Sequence, residues 1–321
     1  MVDVVVVGAG PAGLSCAIEA KKAGLSVVVL EKGSLVDAIR RFPTNLVWFS
    51  TPELLEIGEV PFVIPTLRPG RIDVINYYQR VSMVFSLDIR TFDPVESIRK
   101  SDPGFVVETQ SGKSHSGRNV VVATGYFDYP NRLGIAGEDR DDVFHYYDEP
   151  YRHFGSRVVV VGGRNSAVEA ALDLFRHGVQ VTLVHRGEEL SEGVKYWILP
   201  DFLNRVKGKE IQAFFSSSVV EIKKGCIVLQ TPSGIVEQEN DATYVLIGFR
   251  PDVHHLRRFG IGIDPESLAP VHEESTFETN IPGLYVAGSV VAGKNNNKIF
   301  VENGRLHGKS IVKSILARKM G

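Results

Sequence analysis

Two glycine-rich stretches are the parts of this 321-residue chain whose residue types and spacing point to chemistry. The first is GAGPAG, with Gly8, Gly10 and Gly13; the second is GGRNSA, running from Gly162 through Gly163, Arg164, Asn165 and Ser166 to Ala167. Such spacing suits a pyrophosphate: one glycine allows a tight turn, one lets the main chain approach the phosphates, and a third small residue lets helix pack on strand. The unpaired N–H groups at the helix start then face the anion. Glu31, followed by Lys32, ends the strand after the first helix, where a carboxylate accepts from ribose hydroxyls. The same place after the second helix holds His185 and Arg186. An acid there would repel a 2′-phosphate, whereas a guanidinium pairs with it bidentately. The second site therefore reads as one for NADP, with Arg164 adding charge where the first copy has bare Gly10.

The elements that must hold these residues are written twice. VVVVGAGPAGLSCAIEAKKAGLSVVVLEK (4–32) aligns without a gap with VVVVGGRNSAVEAALDLFRHGVQVTLVHR (158–186), an internal duplication. Each copy reads as buried strand, glycine turn, amphipathic helix and second strand, the order of a βαβ nucleotide-binding unit. Three later strands mark where the domains close: VVVATGYFDYPN into Ala123, Thr124 and Gly125, YVLIGFRP through Gly248, and LYVAGSV into Gly288. The second unit is thus nested in the first. One domain is expected at 1–128 plus 250–321 and the inserted one at 129–249, with Pro130 and Pro251 near the crossovers. A helix is predicted from Arg71, and short strands such as FVVET, with turns at Asp102-Pro103-Gly104 and Ser111-Gly112, predict a small antiparallel layer. The expected fold class is α/β: two nested Rossmann-like dinucleotide-binding domains, each of three layers, ββα.

Composition bounds the rest. With 43% hydrophobic residues and a net charge of −2, the chain has sizeable cores and no electrostatic footprint for nucleic acid or an anionic membrane. No apolar run reaches membrane-spanning length, and MVDVVVV reads as a strand instead of a signal segment, so a cytoplasmic protein is expected. The two cysteines, Cys16 and Cys226, indicate neither a disulfide framework nor a metal site. His254 and His255, in a polar stretch after Pro251, are expected at the surface.

The paired units, the Ala123-Thr124-Gly125 turn and the late YVAG make the chain similar to two-dinucleotide flavoproteins, the class of thioredoxin reductases and flavin monooxygenases. More narrowly, FPTNLVWFS, ELLEIG, ATGYFDYPN, VFHYY, VGGRNSAVEAAL, WILPDF and FVENGRLHG resemble the bacillithiol disulfide reductase family from end to end. The resemblance implies FAD on the outer domain and NADPH on the inserted one. The FAD set is then Gly8, Gly10, Pro11, Ala12, Gly13, Glu31, Lys32, Val95, Ala123, Thr124, Gly125 and Gly288. Lys298 and Ile299 join it, at the start of a helix expected from Asn297 whose N–H groups face the flavin. The NADPH set is Gly162, Gly163, Arg164, Asn165, Ser166, Ala167, His185, Arg186 and Gly248. Trp48 and Phe49 are candidates to cover the flavin.

Two departures matter. Thioredoxin reductases carry a redox CxxC between the first ATG and the second glycine turn, but residues 126–161 hold no cysteine, so no dithiol relay exists there. The bacillithiol disulfide reductase family commonly has Gly-Pro-Cys-Gly where this chain has Gly10-Pro11-Ala12-Gly13. Cys16, a turn farther along the helix, is the one remaining catalytic candidate and reads as a core thiol. Three electron acceptors stay open: a small disulfide, favoured by the resemblance; dioxygen with an organic substrate; and ferredoxin or flavodoxin. A homo-oligomer is expected.

Overall fold

The computed structural model describes residues 1–295 and 298–320. By their contacts these fall into two compact units, one of residues 1–41, 46–129 and 249 onward, the other of 42–45 and 130–248. The tetrapeptide 42–45 belongs with the second unit because the Thr44 amide donates to the Asp148 carbonyl at 2.8 Å.

The first unit starts with β1 (Val2–Val7), α1 (Pro11–Lys22) and β2 (Val27–Leu30). A strand buried on both faces reads as continuous valine, and Val4 to Val7 are all buried. After α2 (Asp37–Arg40) and α3 (Arg71–Val84) come β3 (Ile89–Arg90), β4 (Val95–Ser101), β5 (Gly104–Thr109) and β6 (Ser114–Val122). Strand β6 lies parallel to β1 along one side. Its other side is shared: Ser114 to Gly117 pair antiparallel with β5, while Val120 to Val122 pair parallel with a strand from the far end of the chain. Alternate side chains of β1 and β2 (Val5, Val7, Val28, Leu30) share a core with Ile98, Phe105 and Val107 of the β4–β5 hairpin. Each such side chain contributes about 1.5–3 kcal/mol by leaving water.

A dipeptide strand, β7 (Tyr129–Pro130), leads into the second unit. Its five-stranded sheet has β8 (Val143–Phe144), β9 (Arg157–Val161), β10 (Gln180–Val184), β11 (Gln212–Phe214) and β15 (Ala242–Val245) in the order β11-β10-β9-β15-β8, all parallel. Helices α4 (Asn165–Arg176) and α5 (Leu199–Lys207) join Val158, Val160 and Leu183 in one core. On the other face Val159, Val161 and Val184 meet Val219, Ile222, Ile227 and Leu229 of an antiparallel sheet, β12 (Ser218–Lys223), β13 (Cys226–Thr231) and β14 (Gly234–Glu239). That gives sheet, sheet, helix in three layers.

The chain returns through β16 (Phe249–Arg250) to α6 (Val253–Arg258), β17 (Leu284–Val286), α7 (Val301–Gly304) and α8 (His307–Met320). Strand β17 is the late partner of β6, and α8 packs on α1, where Gly308 lies so near that a Cβ on it would be 2.9 Å from the Cys16 nitrogen.

The expected helix start at Asn297 lies outside the described residues, and Lys298 and Ile299 precede the helix instead of opening it. The Asn303 side chain is the reason. It donates to the Lys298 carbonyl and accepts the Phe300 amide, each at 2.8 Å, which holds this stretch extended until Val301.

Candidate dinucleotide sites

In the first unit the glycine turn joins β1 to α1. Gly8 has φ of 108°, and a Cβ there would sit 2.5 Å from the Ala123 carbonyl oxygen. Gly13 is just as constrained: its Cβ would be 2.0 Å from the Gly8 oxygen, so strand and helix touch only because both residues are bare. Gly10, the N-cap of α1, has the opposite character, since nothing beyond its chain neighbours would lie within 4 Å of a Cβ on it. Two glycines serve packing and one leaves room for a ligand against the helix N-terminus, whose first N–H groups have no intrahelical acceptor.

Glu31, immediately after β2, is buried, and both its oxygens are used. Oε2 accepts the Ala9 amide at 2.7 Å and Oε1 the Gly33 amide at 2.8 Å. Burial raises its pKa, and the two amides oppose that rise. A carboxylate offers about four lone-pair directions. Two amides fix the side chain and leave the others for hydroxyl donors.

These residues wall a cavity of about 360 Å³, within the range of small-molecule sites. Gly8, Gly10, Pro11 and Ala12 form one side, Glu31 and Lys32 another. Val95 and the turn Ala123, Thr124 and Gly125 continue the wall, and Gly288 closes it. Gly13 lies behind the turn, and Lys298 and Ile299 are not in the lining. Trp48 and Phe49 do not line it either; Phe49 is exposed.

Sequence reasoning missed several members of this wall. Asp128 pairs with both Lys32 and Arg41, and Arg41 also pairs with Asp37, so acids and cations alternate along one rim. Ser289 follows Gly288. His255 is a correction to the surface expected for both histidines: His254 is exposed, but α6 turns His255 inward with Leu256 and Phe259. Burial lowers its pKa, while Asp252 and the backbone of Glu96 and Val95 oppose that fall. A larger hollow, about 570 Å³ among Asp3, Lys100, Arg118 and Arg318, shares no residue with either glycine turn.

The second unit repeats the turn with different furniture. Gly162, φ 150°, lies close enough to the Leu246 oxygen that a Cβ would be 2.5 Å away, and Ala167 packs behind it. Arg164 is the N-cap of α4 and is exposed, as are Ser166 and Arg186. The His185 ring occupies the place of a side chain on Gly163, whose Cβ would be 2.2 Å from it, and burial lowers the imidazole pKa. Asn165 is committed locally: it donates to the Gly193 carbonyl and accepts the Lys195 amide, each at 2.8 Å. Beside it the buried Lys195 forms an ion pair at 2.6 Å with the half-buried Glu169. Gly248, φ 95°, accepts the Asn131 amide at 2.9 Å.

Cys16 is not set up for attack. Cys16 is 1% exposed within α1, and burial, with Glu19 adding to it, pushes its thiol up to about 12. A thiol so protonated is a poor nucleophile at neutral pH. Cys226 begins β13 after the Lys224-Gly225 turn, as its sequence context suggests.

Two glycine-turn units of this build define a two-dinucleotide-binding flavoprotein fold of the thioredoxin reductase type. The T. acidophilum thioredoxin reductase superposes with a TM-score of 0.80 at 22% identity, covering 100% of this chain and 99% of that one. Residues 5–288 match the pyridine nucleotide-disulphide oxidoreductase family, and the chain belongs to it. Bacilliredoxin reductase Bdr of Bacillus subtilis (strain 168) is 39% identical over 317 residues, 98% of each chain. The structure of bacillithiol disulfide reductase Bdr (YpdA) from Bacillus cereus is 38% identical with a TM-score of 0.95, covering 99% of both. The chain is therefore an oxidoreductase, and the cofactors of its class are FAD and NADPH. The first cavity fits FAD by its own features: a bare Gly10 and an anchored Glu31.

Proposed function

We propose that the chain is an NADPH-dependent FAD enzyme that reduces a low-molecular-weight disulfide of the bacillithiol disulfide kind. FAD, when bound, supplies the two-electron relay: hydride from NADPH, and an electron pair onward to the acceptor. The balance is NADPH + H⁺ + RSSR giving NADP⁺ + 2 RSH. FAD would be held by the outer segments, 1–128 plus 250–321, with Gly10 and the α1 N-terminus at its pyrophosphate and Glu31 at its ribose. NADPH would be held by 129–249, with Arg186, His185 and Arg164 at the 2′-phosphate and Gly162 and Gly163 under the pyrophosphate.

The observation that carries the reading is the pair of unlike strand ends on like turns. Glu31 refuses a 2′-phosphate and Arg186 seeks one, so the two turns select different dinucleotides. The disulfide as acceptor draws on the relatives, one named for bacilliredoxin and one for bacillithiol disulfide. The buried, protonated Cys16 supports bond cleavage by the flavin, or by a thiol brought by the substrate or a partner, without a thiol on α1. The setting would be the cytosol, as a homo-oligomer; no described helix is long and apolar enough to cross a membrane.

The test is anaerobic reduction by NADPH followed by rapid mixing with each acceptor. Fast reoxidation by bacillithiol disulfide is expected. Reoxidation only by ferredoxin, or only by oxygen through a flavin-peroxide absorbance, would sink the disulfide reading.

A further inference from the structure

Where β17 ends, the cavity wall is made by Ala287, Gly288 and Ser289. Gly288 holds φ of 75° and has no room for a side chain, because a Cβ would stand 2.7 Å from the Ala12 methyl. Gly304 of α7 also closes on it, its own Cβ position 3.3 Å from the Gly288 Cα. Such contacts fix where Gly288 sits, and the 3-10 turn Gly288–Ala292, capped by Ala287, holds the carbonyl side of the 287–288 peptide. Its N–H side is held by a hydrogen bond: the Gly288 amide donates to Nδ1 of His307, the first residue of α8, at 3.1 Å. The His307 ring is 6% exposed and stacks on Phe277 with centroids 4.0 Å apart and planes 16° from parallel. Burial, with His272 nearby, holds its pKa down to about 4. It is therefore neutral at physiological pH, with Nδ1 accepting and the proton on Nε2.

We propose that His307 is a positioning residue for FAD: by accepting the Gly288 amide at Nδ1 it sets the orientation of the Ala287–Ser289 wall against which the cofactor rests. This rests on the reading of the first unit as the FAD site. The imidazole is not in the cavity lining and acts through main chain. Without the acceptor the Gly288 N–H is left buried and unpaired, and only the 3-10 turn still orients the wall that carries the Ser289 hydroxyl, 3.6 Å from the Cβ position of Gly125.

His307→Phe keeps a ring on Phe277 and removes the acceptor; His307→Asn keeps an acceptor near the place of Nδ1. FAD affinity and the visible flavin bands of the full-length protein are the readouts. One lost hydrogen bond predicts roughly 3- to 10-fold weaker FAD binding and displaced bands for the Phe variant, with recovery to within about 2-fold for the Asn variant. Equal behaviour of the two variants would overturn the proposal. Should the Phe variant fail to fold, ¹⁵N resonances of the wild-type imidazole, with and without FAD, decide alone: an unprotonated Nδ1 is expected, and a protonated one sinks the proposal. Wild-type protein that takes no FAD would sink the cofactor assignment and this proposal with it, even with the Nδ1 acceptor visible. Normal FAD binding with a protonated Nδ1 sinks only the role of His307.

Discussion

The Glu31 carboxylate takes the Ala9 amide at 2.7 Å, and at the same alignment in the second copy the His185 imidazole lies over Gly163. In both units the residue after the second strand reaches back to the middle of the glycine turn. One does so by hydrogen bond and the other by ring packing. The duplication therefore preserved a contact while exchanging its chemistry.

Gly163 should be intolerant of a methyl for as long as His185 is present. Gly163→Ala puts an atom 2.2 Å from the ring, and overpacking of this kind costs about 1–3 kcal/mol. His185→Ala alone should cost less, and the double variant should recover most of the Gly163→Ala loss. Urea unfolding of the four proteins measures this cycle; additive losses would show that the ring moves aside freely.

Arg186→Ala should lower NADPH affinity by roughly 10- to 100-fold, because a charge-assisted hydrogen bond contributes about 1.5–3 kcal/mol. NADH affinity should stay nearly level. Titration of both nucleotides is the measurement, and equal losses would remove Arg186 from 2′-phosphate recognition.

In native protein a thiol reagent should label Cys226 and leave Cys16 untouched until denaturant is added, since Cys16 is buried with its thiol pushed up to about 12. A Cys16→Ala, Cys226→Ala double variant should keep its FAD and its disulfide-dependent NADPH oxidation under nitrogen. Loss of turnover with unchanged flavin content would return the chemistry to a protein thiol.

Acid should weaken the fold through His307. Its folded pKa of about 4 lies below the ordinary 6.5, so between those values the unfolded chain binds the extra proton. Stability is whole above about 6.5 and falls as pH drops toward 4. His307→Asn should flatten that part of the stability curve, and denaturant midpoints from pH 7 to 4 would show whether it does.

What could be read from letters was local. Valine runs, glycine spacing and a gapless duplication determine strands, turns and helix starts within a few residues of one another, and Arg71 opens its helix as read. The helix begins at Val301 and not near Lys298 because a side chain five positions on, Asn303, decides it. His255 was hidden for a related reason: two adjacent histidines point in different directions on a helix, and only the partners Leu256 and Phe259 reveal which one turns inward. The Lys32, Arg41 and Asp128 cluster joins residues far apart in the chain, and no periodicity announces it.

The interrupted layout of the first unit sets a timetable for biosynthesis. When a ribosome has delivered residues 1–129, the Val120–Val122 edge of β6 still awaits β17, and α1 lacks the cover of α8. The second unit is continuous but for four residues and can mature as it emerges, ahead of the unit whose beginning came first. Until Leu284–Val286 arrive, that bare valine edge is a template for pairing with another nascent chain, so prematurely ended translation should yield aggregates seeded there.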